Sequence, residues 1–128
     1  MTPCTYCGSP YGDSLDHVLP QSEWIGQGWS RKVTVPACRP CNSALGARPF
    51  YTVGSRAQYL HRFYSQRWRK LLATPDWVED ELDALGPGMR TLVEDRLEQK
   101  RVCEAALKHM DMVALISPTI QEVWSNYD

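Results

Sequence analysis

Four cysteines occur in two closely spaced pairs, Cys4 with Cys7 and Cys38 with Cys41, each pair separated by two residues. Two Cys-x-x-Cys pairs supply four thiolates, the ligand set that a structural zinc ion binds in tetrahedral geometry. Two disulfides are the alternative, but no apolar signal segment follows the first residue, and thiols stay reduced in the cytoplasm. We therefore expect a structural Zn²⁺ site in a cytoplasmic protein.

Three further polar side chains stand close to these cysteines in the chain. Asp16 and His17 lie between the two pairs, and Asn42 directly follows the last cysteine. An imidazole that titrates near neutral pH can take a proton from water. Carboxylate and amide oxygens are hard ligands that suit Mg²⁺ or Mn²⁺ better than zinc. One base with two hard oxygen ligands is typical of enzymes that hydrolyse phosphodiester bonds with a metal ion. Taken without its neighbours, His17 would more simply be interpreted as a structural histidine.

Short elements must position these side chains. Residues 15–19 alternate like a strand, and the β-branched run at 32–35, closed by Pro36, predicts a second strand. Residues 38–46 predict a short helix that a glycine ends. A hairpin packed on this helix would bring the Asp-His pair and Asn42 to one cleft.

The chain resembles the HNH nucleases, also called the ββα-metal or His-Me finger group, in three motifs. They are Cys4-x-x-Cys7, Asp16-His17-Val18-x-Pro20 and Val35-Pro36-Ala37-Cys38-x-x-Cys41-Asn42. The most similar variant holds a structural zinc with four cysteines, as in phage Holliday-junction resolvases of the endonuclease VII type. The resemblance covers roughly the first 50 residues, and its motifs are specific because they coincide.

The resemblance implies a metal-dependent DNA endonuclease, typical of phage genomes, that leaves 5′-phosphate and 3′-hydroxyl ends. It assigns His17 as the general base, and Asp16 and Asn42 as ligands of a catalytic Mg²⁺ or Mn²⁺. If the chain is phage-encoded, we expect the protein in the cytoplasm of the host cell. Many family members carry an Asn on the strand before the second cysteine pair, whereas residues 31–35 contain none and offer Thr34. A catalytically weak zinc module that binds DNA or a protein is therefore the alternative.

The net charge of −1 conceals an uneven distribution along the chain. Residues 1–50 carry +1, residues 51–72 carry +5, and residues 73–128 carry −7. The basic segment follows the proposed site directly, where duplex DNA would present a row of phosphates. The candidate phosphate contacts are Arg31, Lys32, Arg39, Arg48, Arg62 and Arg69, and for any one arginine an ordinary solvated face is an equal alternative.

The remainder of the chain predicts helices. One should run from Ser55 to Leu72, and another should begin at Thr74 and stop at residues 86–88. A longer helix should span Met89 to about Met112, with Leu92 on its apolar side.

These predictions combine into one architecture. We expect an α+β protein with a zinc-stabilised ββα-metal module at residues 1–53 and a helical extension at residues 54–128. The acidic helices would form a homodimer or dock on a phage or host protein. Cys103 is expected to be a small buried hydrophobe, and no membrane segment is visible.

Overall fold

The computed structural model describes residues 2–18, 34–50 and 52–116. Within them lie two strands, β1 (Ser14–His17) and β2 (Thr34–Ala37), and five helices. The helices are α1 (Arg39–Leu45), α2 (Val53–Arg67), α3 (Arg69–Leu72), α4 (Glu79–Asp83) and α5 (Pro87–Ile116). A small sheet with mostly helices around it is an α+β fold, as the sequence predicts.

The two strands pair antiparallel, with Asp16 opposite Val35 and His17 opposite Thr34. Pro36 was expected to close the second strand, but it lies inside β2 opposite Leu15. A two-stranded sheet has only edge strands, and these tolerate a residue that lacks a backbone N–H. The Pro36 carbonyl accepts a hydrogen bond from the Thr5 backbone N–H at 2.9 Å, which ties the first cysteine pair to β2.

Helix α1 begins and ends where the sequence predicts. Its N-cap is Cys38, Pro40 lies in its first turn, and Gly46 is its C-cap at φ 52°. The Gly46 N–H donates to the Asn42 carbonyl oxygen. This left-handed conformation, which glycine adopts without steric cost, turns the chain toward α2.

The basic segment forms two helices instead of the single predicted one. Helix α2 begins at a capping box in which Thr52 and Ser55 bond each other's backbone N–H, and Trp68 separates its last residue, Arg67, from the start of α3. The buried residues of α2 recur at helical spacing and face the core: Val53, Gly54, Arg56, Ala57, Leu60 and Tyr64.

The prediction of a helix start at Thr74 is wrong, because α4 begins only at Glu79. Thr74 is buried, its hydroxyl accepts from Arg96 Nε, and its carbonyl accepts from Lys100 Nζ. These contacts come from α5, which starts at Pro87 as a single long helix. Its residue Leu92, expected on the apolar side, is 65% exposed.

One buried cluster joins the two parts of the chain. It contains Cys4, Tyr6, Cys38 and Cys41 together with residues of α2 and, from α5, Met110. Helix α5 packs along α2, so the core continues across the predicted division at residue 53. Of the helices in the described ranges, none is both long and apolar enough to span a membrane.

Candidate metal centre and the adjoining polar site

The four cysteines converge on one point, although the two pairs lie more than 30 residues apart in the chain. Each of the four offers a sulfur atom, and these atoms all lie within 4.8 Å of one another. Cys7 Sγ and Cys38 Sγ are 3.7 Å apart. Zn–S bonds of about 2.3 Å in a tetrahedron place sulfurs about 3.8 Å apart. The cluster can therefore hold a metal ion such as zinc with little rearrangement.

The local backbone conformation at each cysteine pair directs the four thiols to one point. Gly8 adopts φ 76°, and its N–H donates to the Cys4 carbonyl oxygen at 3.0 Å, which closes the turn of the first pair. The second pair spans the start of α1, and Asn42 N–H donates to the Cys38 carbonyl oxygen. All four cysteines are free thiols in the structure, so the disulfide alternative is not what the fold contains.

The thiols share hydrogen bonds in a way that favours one thiolate among them. Hydrogen bonds from Cys41 and Cys7 hold the pKa of the Cys4 thiol far below its ordinary value. The hydrogen bond to Cys4 raises the pKa of Cys7 to about 11, and that of Cys41 is raised for the same reason. Because a metal ion binds thiolates, its binding here would release the protons of the remaining thiols.

Asp16 lies at the centre of a buried polar contact. Its Oδ2 accepts from Arg56 Nε at 2.7 Å and its Oδ1 from Arg56 Nη2 at 2.6 Å, a bidentate pair. Tyr6 Oη donates to the same Oδ2. The Asp16 and Arg56 side chains are only 2% and 1% exposed. Both carboxylate oxygens thus accept bonds from protein donors, so Asp16 does not present an oxygen to a solvent-borne cation in this conformation.

Electrostatics agree with this arrangement. Burial, followed by the Asp16 charge, raises the pKa of Tyr6 well above its ordinary value, so the phenol keeps the proton that it donates. Burial alone would lower the pKa of Arg56, but the hydrogen bonds and charge of Asp16 raise it instead. Arg56 therefore keeps its positive charge beside Asp16 despite its burial.

His17 follows Asp16 on β1, and successive side chains of a strand point to opposite faces. The burial along β1 matches this rule, since Asp16 is buried whereas Leu15 is exposed and His17 is half-buried. Asp16 and His17 are therefore adjacent in sequence, but their side chains point to opposite faces of the sheet.

Asn42 joins α1 to β1. Its Nδ2 donates to the Leu15 carbonyl oxygen at 3.0 Å and to Ser14 Oγ at 3.3 Å. Ser14 Oγ in turn donates to the Ala37 carbonyl oxygen at 2.6 Å. With its nitrogen occupied, Asn42 keeps its amide oxygen as the atom that could bind a hard cation. The structure thus brings Asn42 against the strand that carries His17.

The candidate phosphate contacts divide by location. Arg31 and Lys32 lie outside the described residues, whereas Arg39, Arg48, Arg62 and Arg69 are all exposed. The Arg48 guanidinium lies 4.6 Å from the centre of the Tyr59 ring, a cation–π contact that fixes its position.

A groove of about 640 Å³ runs along the cysteine cluster, between α2 and α5. Cys7, Cys38 and Cys41 form its floor, and Arg39, Arg67, Tyr11 and Trp68 are among its walls. Tyr11 is 64% exposed, and Trp68 stacks on Tyr64 with ring centres 4.4 Å apart. Aromatic and basic side chains here flank the candidate metal centre.

Three residues of the site were missed by sequence reasoning: Tyr6, Arg56 and Tyr64. Tyr64 Oη donates to Cys41 Sγ at 3.8 Å, so α2 supports the cysteine cluster as well as Asp16. One signal was available, because Arg56 is four residues before Leu60 and eight before Tyr64, inside the apolar stripe of its helix. A charge in such a stripe indicates a buried partner.

Comparison with protein-family models, with curated proteins and with solved structures finds no match to this chain.

Proposed function

We propose that this chain is a metal-dependent DNA endonuclease of HNH type, in which β1, β2 and α1 form a ββα-metal module stabilised by zinc. The observation that carries the proposal is the contact of Asn42 with Ser14 and Leu15 of β1, the strand that also carries His17, beside a four-cysteine cluster. The cysteine pairs, the strand with Asp16 and His17, and Asn42 thus lie close together among the described residues, which supports the proposal. A phage origin stays a prediction.

His17 would act as the general base. Its imidazole would accept a proton from water as the water oxygen bonds to phosphorus. The bond from phosphorus to the 3′ oxygen would break, and that oxygen would take a proton from solvent. The products would be a 5′-phosphate and a 3′-hydroxyl end.

Two cofactors belong to the proposal. The cysteine cluster fits a structural Zn²⁺ by its sulfur spacing. A catalytic Mg²⁺ or Mn²⁺ would supply charge neutralisation at the phosphate. Asn42 offers an amide oxygen to such an ion, whereas both oxygens of Asp16 are engaged by Arg56 and Tyr6. The predicted pair of protein ligands is therefore not assembled in this structure.

A nicking assay with matched histidine variants tests the proposal. Purified protein is incubated with supercoiled plasmid, with and without Mg²⁺ or Mn²⁺, and relaxed product is measured. His17→Ala should reduce nicking by roughly 100-fold or more, because it removes the base but none of the zinc ligands. His61→Ala is the control, since His61 is half-buried on α2 and pairs with Asp111 instead. Equal nicking by wild type and His17→Ala would contradict the mechanism.

The second candidate is a catalytically weak zinc module that binds DNA or a protein. The engaged carboxylate of Asp16 favours it, and the groove beside the cysteines offers a binding surface. This candidate predicts DNA binding at low salt, measured by fluorescence anisotropy, without nicking under any divalent metal. Arg39→Ala would then weaken binding.

A further inference from the structure

Strand β1 is short and needs anchors to hold its residues in place. It has four residues and pairs only with β2, and an isolated two-stranded sheet is marginally stable in water. Asn42 of α1 binds the backbone of β1, and the Asp16 side chain ties the strand to Arg56 of α2 and Tyr6 of the first cysteine turn. The residue that follows Asp16 on this strand is His17.

We infer that Asp16 is a positioning residue which, with Arg56 and Tyr6, fixes β1 and thereby orients His17, and that it is not a ligand of the catalytic metal. This inference rests on the proposed function, because one of its tests measures DNA cleavage. Three hydrogen bonds converge on the two oxygens of Asp16, and the carboxylate is almost fully enclosed.

The energetics favour this role over metal binding. A solvent-borne cation could reach Asp16 only if the enclosed carboxylate became exposed, and moving it outward would leave the Arg56 charge unpaired in the core. Such a loss of one partner is strongly destabilising. Arg56 Nη1 also donates to the Phe50 carbonyl oxygen at 2.8 Å, so the guanidinium is held from two directions and cannot follow the carboxylate outward. A small displacement of the base, in contrast, is enough to slow an enzyme by orders of magnitude.

A double-mutant cycle distinguishes a positioning role of Asp16 from metal binding. It compares wild type, Asp16→Asn, Arg56→Gln and the double variant. Each single variant should lower Tm by about 10 °C or more, because it leaves one buried charge without its partner. The neutral amide pair of the double variant can hydrogen-bond to itself, so the double variant should regain at least half of the lost Tm. The nicking rate should change in parallel with Tm: it should fall in each single variant and recover in the double variant.

Manganese binding, measured by isothermal titration calorimetry, provides the decisive comparison. A positioning role predicts a Mn²⁺ affinity within about threefold of wild type in the double variant. Asn42→Ala should lower it by roughly tenfold or more, at least as much as loss of a residue that only supports a metal ligand. The inference is overturned if Asp16→Asn and the double variant both lose Mn²⁺ binding while Arg56→Gln keeps or strengthens it.

Failure of the proposed function would be recognised separately. If wild type nicks no DNA, the endonuclease proposal falls, and the positioning role is decided by the NMR signals of the His17 ring. Those signals should move in each single variant and return toward the wild-type positions in the double. His17 signals that stay unchanged in both single variants would overturn the positioning role.

Discussion

His109 Nδ1 donates a hydrogen bond to the backbone carbonyl oxygen of Tyr6 at 2.9 Å, although 103 residues separate the two in the chain. The contact brings α5 directly onto the turn between Cys4 and Cys7. Since the carbonyl can only accept, His109 carries its proton on Nδ1. Helix α5 is thus part of the support of the candidate metal centre.

The first prediction concerns the approach of this histidine to Gly8. A Cβ at Gly8 would lie 2.9 Å from His109 Cδ2, and the residue has φ 76°. Gly8→Ala should therefore reduce the free energy of unfolding by about 2 kcal/mol, measured in urea. Gly86→Ala is the control, because a Cβ there meets nothing within 4 Å. In the His109→Ala background the cost of Gly8→Ala should be smaller; an undiminished cost would show that backbone strain alone is responsible.

The second prediction concerns the metal. We expect one zinc ion per chain by elemental analysis, and Cys38→Ser should lose it and unfold the region around the sheet. Metal binding in such clusters contributes on the order of 10 kcal/mol, much of it to folding. Cys103→Ser should retain zinc, because Cys103 is not among the four clustered thiols. Folded wild-type protein without zinc would refute the assignment.

The third prediction concerns the reactivity of Cys103. Burial raises the pKa of this thiol, so the fraction of reactive thiolate at pH 8 is below that of an ordinary cysteine. Iodoacetamide should therefore label zinc-loaded protein more slowly than glutathione at pH 8. Below the pKa, the rate should rise by roughly tenfold per pH unit. Cys103→Ser should remove this labelling, and labelling that persists in the variant would show that the clustered thiols are accessible.

The fourth prediction concerns phosphate contacts. Arg62 and Arg69 are exposed on α2 and α3. If both contact DNA phosphates, changing them to alanine should reduce the slope of log affinity against log salt by about 2. Arg101→Ala is the control for the loss of one positive charge, because Arg101 lies on α5 and pairs with Glu98. A slope that changes equally in both proteins would assign Arg62 and Arg69 to a solvated face.

The parts of the site that depend on local spacing were predictable from sequence. The cysteine pairs and the α1 boundaries follow from residues within a few positions of each other, and the structure brings the four thiols together. The environment of Asp16 was not predictable in this way, because Arg56 lies 40 residues later on another helix. A motif gives the order of the residues along a strand, whereas tertiary packing determines which partners each side chain contacts.

Thr74 shows the same limit for the fold. A threonine before a proline is a strong local signal for a helix start. Arg96 and Lys100, on α5, compete for its hydroxyl and carbonyl and hold the segment in a non-helical conformation. Long-range contacts outweighed the local preference here.

The ion pair between Asp16 and Arg56 also determines which part of this protein could be transplanted. A fragment cut at residue 53 would carry the motif residues but leave a carboxylate and a phenol in its interior without their guanidinium partner. It would also lose Tyr64 from above Cys41. A portable unit therefore needs α2 as far as Arg67 and also the part of α5 that carries His109 and Met110. A graft that follows the motif alone would omit this support.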